Sequence, residues 1–172
     1  MFERAKIRFV ACGYSQVPGL DFADRFAATA HSTTIRMLLA LAAREGWYLR
    51  TLDITAAFLT APLEEEIYME PPQGCEKRDG MVWKLKASVY GLVQAGRGHW
   101  KKLSKHLLAF GFQSATPDDC IMIVRRMDTV MMLAVVVDDV VMAGVGETLY
   151  KDVMVHIKKE YKIRELGELK WY

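Results

Sequence analysis

Residues Val130 to Met142 are apolar except at one place, where Asp138-Asp139 interrupts them. The longest unbroken part, Val130 to Val137, has eight residues. A membrane-spanning helix needs about 20, so this is no span. Its length and β-branched content predict strands, Val130 to Val137 and Val140 to Val145, around a hairpin. Two carboxylates inside such a stretch are costly unless exposed, paired or metal-bound. They therefore stand at an exposed hairpin tip or hold a cation. A two-residue turn prefers Asn-Gly or Asp-Gly, because positive φ is needed there. Asp-Asp is a poor turn on that ground, which shifts weight toward a functional role.

The rest of the chain supplies the sheet and its cover. Alternation predicts a strand over Arg4 to Tyr14, and Pro18-Gly19 turns the chain. Ile35, Leu38, Leu39 and Ala42 mark one buried face of a helix from Thr33 to Arg44. Ser32 is its expected N-cap and Gly46 its stop. Trp47 to Ile54 reads as a strand, with Glu66 to Glu70 and Met81 to Leu85 as short ones. Gln94 to Phe110 reads as a helix. Cys120 to Arg126 is a strand, Glu147 to Tyr161 an amphipathic helix, and Ile163 to Tyr172 a last strand. Hairpins mixed with crossovers predict an α+β fold on an antiparallel sheet.

Composition narrows the function. The 172 residues carry a net charge of +2, which excludes a strongly basic tail but leaves room for a local basic groove. Cys12, Cys75 and Cys120 lack zinc-finger or CxxC spacing and read as buried or free thiols of a reducing, intracellular compartment. The charged N-terminus lacks the apolar stretch of a secretory signal. No GxxxxGK[ST] or GxGxxG motif is present, so nucleotide-switch and dinucleotide-binding classes drop out.

Asp53 closes a strand in Leu52-Asp53-Ile54-Thr55-Ala56-Ala57-Phe58. A lone Asp there caps a helix, whereas three carboxylates from two strands suit hard cations such as magnesium. Two such ions about 4 Å apart support phosphoryl transfer. Glu64-Glu65-Glu66 and Lys101, Lys102 and Lys105 read as solvated surface. His31, His99, His106 and His156 show no ligand spacing.

Together these segments resemble the reverse transcriptase of copia-type retrotransposons, in order along nearly the whole chain. The resemblance runs through Arg8-Phe9-Val10-Ala11-Cys12-Gly13-Tyr14-Ser15-Gln16 and Thr33 to Ala43. It continues in Leu52-Asp53-Ile54 with Ala57-Phe58-Leu59, then Leu63-Glu64-Glu65-Glu66-Ile67-Tyr68-Met69 and Pro71-Pro72-Gln73-Gly74. Val89-Tyr90-Gly91-Leu92, Gln94-Ala95, Asp119-Cys120, Val137-Asp138-Asp139 and Glu165-Leu166-Gly167 complete it.

The resemblance implies a fingers-and-palm domain over residues 1–172, ending before a thumb, with the paired Asp on the hairpin of an antiparallel palm sheet. It implies an RNA-directed DNA polymerase, in the cytoplasmic particle or the nucleus. Asp53, Asp138 and Asp139 would be catalytic and would hold two magnesium ions, with manganese as the substitute. The partners would be an RNA or DNA template with primer and deoxynucleoside triphosphates, and no membrane. Phe58 would gate against the 2′-hydroxyl. Lys6 or Arg8 would meet the triphosphate, and Tyr90 and Gly91 would line nucleotide and template.

The chain departs from the family pattern at several places. Val136 stands where an aromatic is usual, and Cys12 where Arg is. Ala28-Thr29-Ala30-His31 replaces Pro-Val-Ala-Arg. Val93, Gly96 and His99 replace Lys, Pro and Trp, and Thr55, Ala56, Thr60 and Ala61 replace Lys, Thr, Asn and Gly. The competing reading is therefore an inactive retrotransposon remnant or a derived nucleic-acid-binding module. A metal-dependent nuclease or phosphotransferase would need a base near the metals, and no His is placed for it. On the resemblance, the isolated chain is expected to bind nucleic acid weakly and to polymerise poorly or not at all.

Overall fold

A computed structural model describes residues 8–24, 27–72, 74–75, 80–115 and 118–169. They fall into two compact units: residues 1–27 with 58–99, and residues 28–57 with 100–172.

The second unit is built on a six-stranded sheet. Its strands are β1 (Tyr48–Ile54), β4 (Gln113–Ala115), β5 (Asp118–Arg126), β6 (Thr129–Val136), β7 (Asp139–Val145) and β8 (Ile163–Glu168), in the spatial order β4-β5-β6-β7-β1-β8. Every neighbouring pair is antiparallel. Alternation along each strand sends side chains to opposite faces. On one face Leu52, Leu133, Val135, Val140 and Met142 pack with Leu103 and Leu107 of α2 (Ala95–Phe110) and Leu149, Val153 and Ile157 of α3 (Glu147–Lys158). On the other, Ala134, Val141 and Ala143 meet Ile35, Leu38 and Ala42 of α1 (Ser32–Glu45). The β6–β7 hairpin thus packs on the two expected helices, and α1 covers its second face as well. The sheet is antiparallel and the mixed α and β class is as expected.

The first unit holds a two-stranded ribbon, β2 (Tyr68–Met69) with β3 (Trp83–Lys84), and a small core of Ala11, Ile67, Leu92 and Ala95. No described helix is long and apolar enough to cross a membrane.

Several local expectations need correction. Ser32 is the first helical residue of α1, not its N-cap. The N-cap is His31, whose side chain makes no capping bond. The buried carboxylate of Asp118 supplies that function from β5, accepting the His31 N–H at 2.9 Å. The expected strand over Arg4 to Tyr14 is not a ladder. Residues 4–7 lie outside the described residues, Val10 makes a single bridge to Tyr90, and Gly13–Ser15 is a 3-10 turn. Alternation was present, but only one backbone neighbour is there to pair with it. The hairpin turn is Val137-Asp138 rather than Asp138-Asp139, because Asp139 already pairs with Val136 at the start of β7. Val137 takes φ 56°, a region that β-branched side chains disfavour. Packing on both flanks fixes the register and imposes that conformation. Strand β4 was not expected, since Gln113-Ser114-Ala115 carries no apolar signal.

Candidate active site

The sheet brings the three aspartates together. In the β1–β7 ladder Asp53 stands directly opposite Asp139. Directly opposed residues lie about 4.5–5.5 Å apart at Cα. The Ile54 N–H donates to the Asp138 carbonyl at 2.8 Å, so the hairpin turn is tied to the end of β1. Leu52, Ile54, Val140 and Met142 occupy the face under α2 and α3. Alternation therefore places Asp53 and Asp139 on the opposite face, together with Val136. Asp139 is exposed, and Asp53 and Asp138 are half-buried.

Electrostatics register this convergence. Partial burial, then the charges of Asp53 and Asp138, raise the Asp139 carboxyl above its ordinary value. Three hard oxygen donors that repel one another are chemically suited to a divalent cation. As the side chains stand, however, no three His, Cys, Asp or Glu among the described residues are gathered into a metal-holding set. The donor chemistry of Asp53, Asp138 and Asp139 fits a divalent cation.

The Asp139 shift has a measurable consequence. A raised carboxyl pKa means that ionisation is penalised in the folded state. The penalty is absent below the unfolded value near pH ~3.9 and grows as pH rises above it. Asp139→Asn should therefore stabilise the metal-free chain at pH 7, by about 0.5 kcal/mol after allowance for solvent screening. Melting at pH 7 and pH 3.5 checks this. A lower melting temperature for the variant at pH 7 would contradict it.

The first unit gathers the other described candidates. Phe58 stands edge-on to Tyr90, ring centroids 4.7 Å apart, and the Arg8 guanidinium lies 6.0 Å from the Tyr90 ring. The Tyr90 carbonyl accepts the Ala11 N–H at 2.7 Å. Lys6 lies outside the described residues. Arg8 also borders a cavity of about 820 Å³ that Phe9, Tyr68 and Met69 line, together with the carboxylates of Asp21 and Glu70. Most of this wall comes from two of the segments that carry the family resemblance, Arg8 to Gln16 and Ile67 to Met69, although nothing in either segment signals a cavity. Gln94 is buried and structural. It bonds Gln16 at 3.1 Å and the Asp21 carbonyl at 3.0 Å, anchoring the N-terminal segment. His99 is buried beside Phe58, 6.3 Å between ring centroids.

Gly91 is needed for close approach. Its φ is 91°, and a Cβ there would come within 2.1 Å of the Ala11 carbonyl oxygen. Gly91→Ala should destabilise the first unit by about 2–3 kcal/mol, through strain and displaced backbone. Limited proteolysis within residues 8–16 should accelerate, while unchanged cleavage would count against this packing role.

The match to known proteins is broad. Residues 2–172 fit the family model described as reverse transcriptase (RNA-dependent DNA polymerase). The retrovirus-related Pol polyprotein from transposon RE1 of Arabidopsis thaliana is 34% identical over 172 residues, covering 99% of this chain and 12% of that protein. The corresponding polyprotein from tobacco transposon TNT 1-94 is 34% identical over 167 residues, 95% of this chain and 13% of its own length. The yeast transposon Ty1-DR5 Gag-Pol polyprotein is 30% identical over 166 residues, 95% of this chain and 9% of that protein. The chain thus spans about an eighth or less of these relatives. No solved structure matches it. Full-length agreement with the family model, and with transposon polyproteins of two plants and a yeast, places this chain in the reverse transcriptase family, among the domains of copia-type Pol polyproteins.

Proposed function

We propose that this chain carries the nucleotidyl-transfer site of an RNA-directed DNA polymerase. The observation that carries this is the placement of Asp53 opposite Asp139 on paired strands, with Asp138 in the adjoining turn. Asp53, Asp138 and Asp139 would hold two magnesium ions, or manganese in their place. Bound there, the ions would activate the primer 3′-hydroxyl and neutralise the departing pyrophosphate. The chain's own part is to fix the carboxylates on a rigid sheet, since alignment of reacting atoms supplies much of such a rate.

The six-stranded unit is the palm in this reading and the ribbon-bearing unit the fingers. The substrates are a deoxynucleoside triphosphate and a primed RNA or DNA template. Phe58 discriminates against the 2′-hydroxyl, with its ring steadied by Tyr90. Tyr90 and Gly91 contact nucleotide and template. Arg8 or Lys6 meets the triphosphate.

The departures at Val93, Gly96 and His99 favour a second reading, an inert remnant or a nucleic-acid-binding module. Single-nucleotide addition to a primed homopolymer RNA with magnesium or manganese decides between the two. Comparison with Asp138→Asn/Asp139→Asn should show addition only by the unaltered chain. Binding of the primed template without metal-dependent addition, both by this chain and with a family thumb appended, would support the module and overturn the polymerase.

A further inference from the structure

His106 of α2 and His156 of α3 are stacked, their ring centroids 4.0 Å apart and their planes within 15°. Each ring Nε2 lies 2.9 Å from the backbone carbonyl of the other histidine. A carbonyl only accepts, so both Nε2 atoms carry hydrogen, and each Nδ1 is the position open to a further proton. The arrangement is reciprocal: each helix lends its imidazole to the backbone of the other. A first proton leaves both bonds intact and strengthens one as a charge-assisted donor. A second puts two like charges face to face in a half-buried contact.

We propose that this pair is a proton-operated clasp on the helical layer, holding α2 to α3 while at most one ring is charged and yielding when both are. The neighbouring groups do not cancel the second charge. Lys102 and Glu160 are paired at 3.6 Å, and Tyr161 places its ring 5.7 Å from that of His106. Phe110 lies 5.0 Å from His156, and the Arg126 guanidinium of β5 covers the Phe110 ring at 4.5 Å while bonded to Asp152 of α3 at 3.1 Å. Burial first, with smaller contributions from His156 and Lys102, lowers the His106 proton affinity against the opposing carbonyl bond and Glu160.

The clasp bears on the catalytic sheet without touching it. Both helices pack beneath Leu52, Val135 and Val140, which neighbour Asp53, Val136 and Asp139 along their strands. Acid should therefore loosen the layer that supports the three aspartates. This inference does not depend on polymerase activity.

The sign follows from linkage. A histidine whose proton affinity is lowered by folding leaves stability complete above the unfolded value near pH ~6.5, and stability falls as pH drops below it. His106→Gln/His156→Gln keeps an amide N–H on each side and removes both titrations. Denaturant unfolding at pH 7.5 and pH 5.0 should show the unaltered chain losing about tenfold more of its folded-to-unfolded ratio than this variant does. Equal losses, or a variant weakened equally at both pH values, would reduce the pair to a structural contact. Should the variant fail to fold, the imidazole Cε1 proton shifts of the unaltered chain give the same decision. The His106 ring should titrate below the ordinary histidine range. A His106 transition at the ordinary value near pH ~6.5 would overturn the clasp.

Discussion

Asp53→Asn should lower metal-dependent nucleotide addition by about 1,000-fold or more while leaving the fold intact. A metal-bound carboxylate contributes several kcal/mol to transition-state charge stabilisation, and each 1.36 kcal/mol is about tenfold in rate. Asp53 is the residue to test because it belongs to a different strand from the pair. It lies in β1 opposite Asp139, so its loss removes the contribution of one whole wall. Asn preserves size and the ladder, which is backbone. Magnesium should raise the melting temperature of the unaltered chain, because a ligand that binds only the folded state stabilises it by mass action. That rise should disappear in Asp53→Asn. An unchanged addition rate, or an equal magnesium effect in both proteins, would remove Asp53 from the site.

The hairpin was legible because its signal is local and strong: apolar, β-branched runs flanking two carboxylates. Asp53 was legible as a strand end, but its partner was not. The pairing of β1 with β7 joins residues 86 positions apart in sequence, Asp53 and Asp139, and periodicity carries no information about which strands pair. Family resemblance supplied that link. The aspartate pair stands at and beside the hairpin tip as expected, with the turn on Val137-Asp138 although propensity disfavours Val137 at positive φ, because the packing of both hairpin flanks overrides it. The helix cap failed for a related reason. Ser32 has the right chemistry in the right place, yet a carboxylate 87 positions away from His31 fills the role. Arg8, Phe58 and Tyr90 gather through contacts no linear pattern encodes, and the motif segments that line the cavity beside Arg8 gave its residues but not the cavity.

The Asp119-Cys120 match pointed near a structural residue without reaching it. Asp119 accepts the Ser114 hydroxyl at an exposed edge, 3.0 Å away. Its neighbour Asp118 is 6% exposed and joins two elements. One of its oxygens accepts the His31 N–H at 2.9 Å and the other accepts the Cys120 N–H at 3.0 Å, with the Thr34 side chain as a further donor. Burial alone would raise this carboxyl, and the donors outweigh burial and hold it below its ordinary value. A negative charge at the first turn of α1 also opposes the positive end of the helix dipole. Asp118→Ala would leave these donors buried and unpaired, at about 1–3 kcal/mol each. Some of that is recovered by water, so a total loss of about 3 kcal/mol is expected, or roughly 6–12 °C in melting temperature. The pH dependence fixes the cause. A carboxyl lowered by folding contributes stability above its unfolded value near pH ~3.9 and loses it as pH falls through the folded value. The gap between the unaltered chain and Asp118→Ala should thus be full at pH 7 and narrow steadily below pH ~4. Asp118→Asn should recover part of the stability at pH 7, because one amide oxygen still accepts, but none of the acid dependence. A gap that stays constant down to pH 3 would show that Asp118 acts through packing rather than as an ionised cap, and α1 would then owe its position over the sheet to Ile35, Leu38 and Ala42 alone.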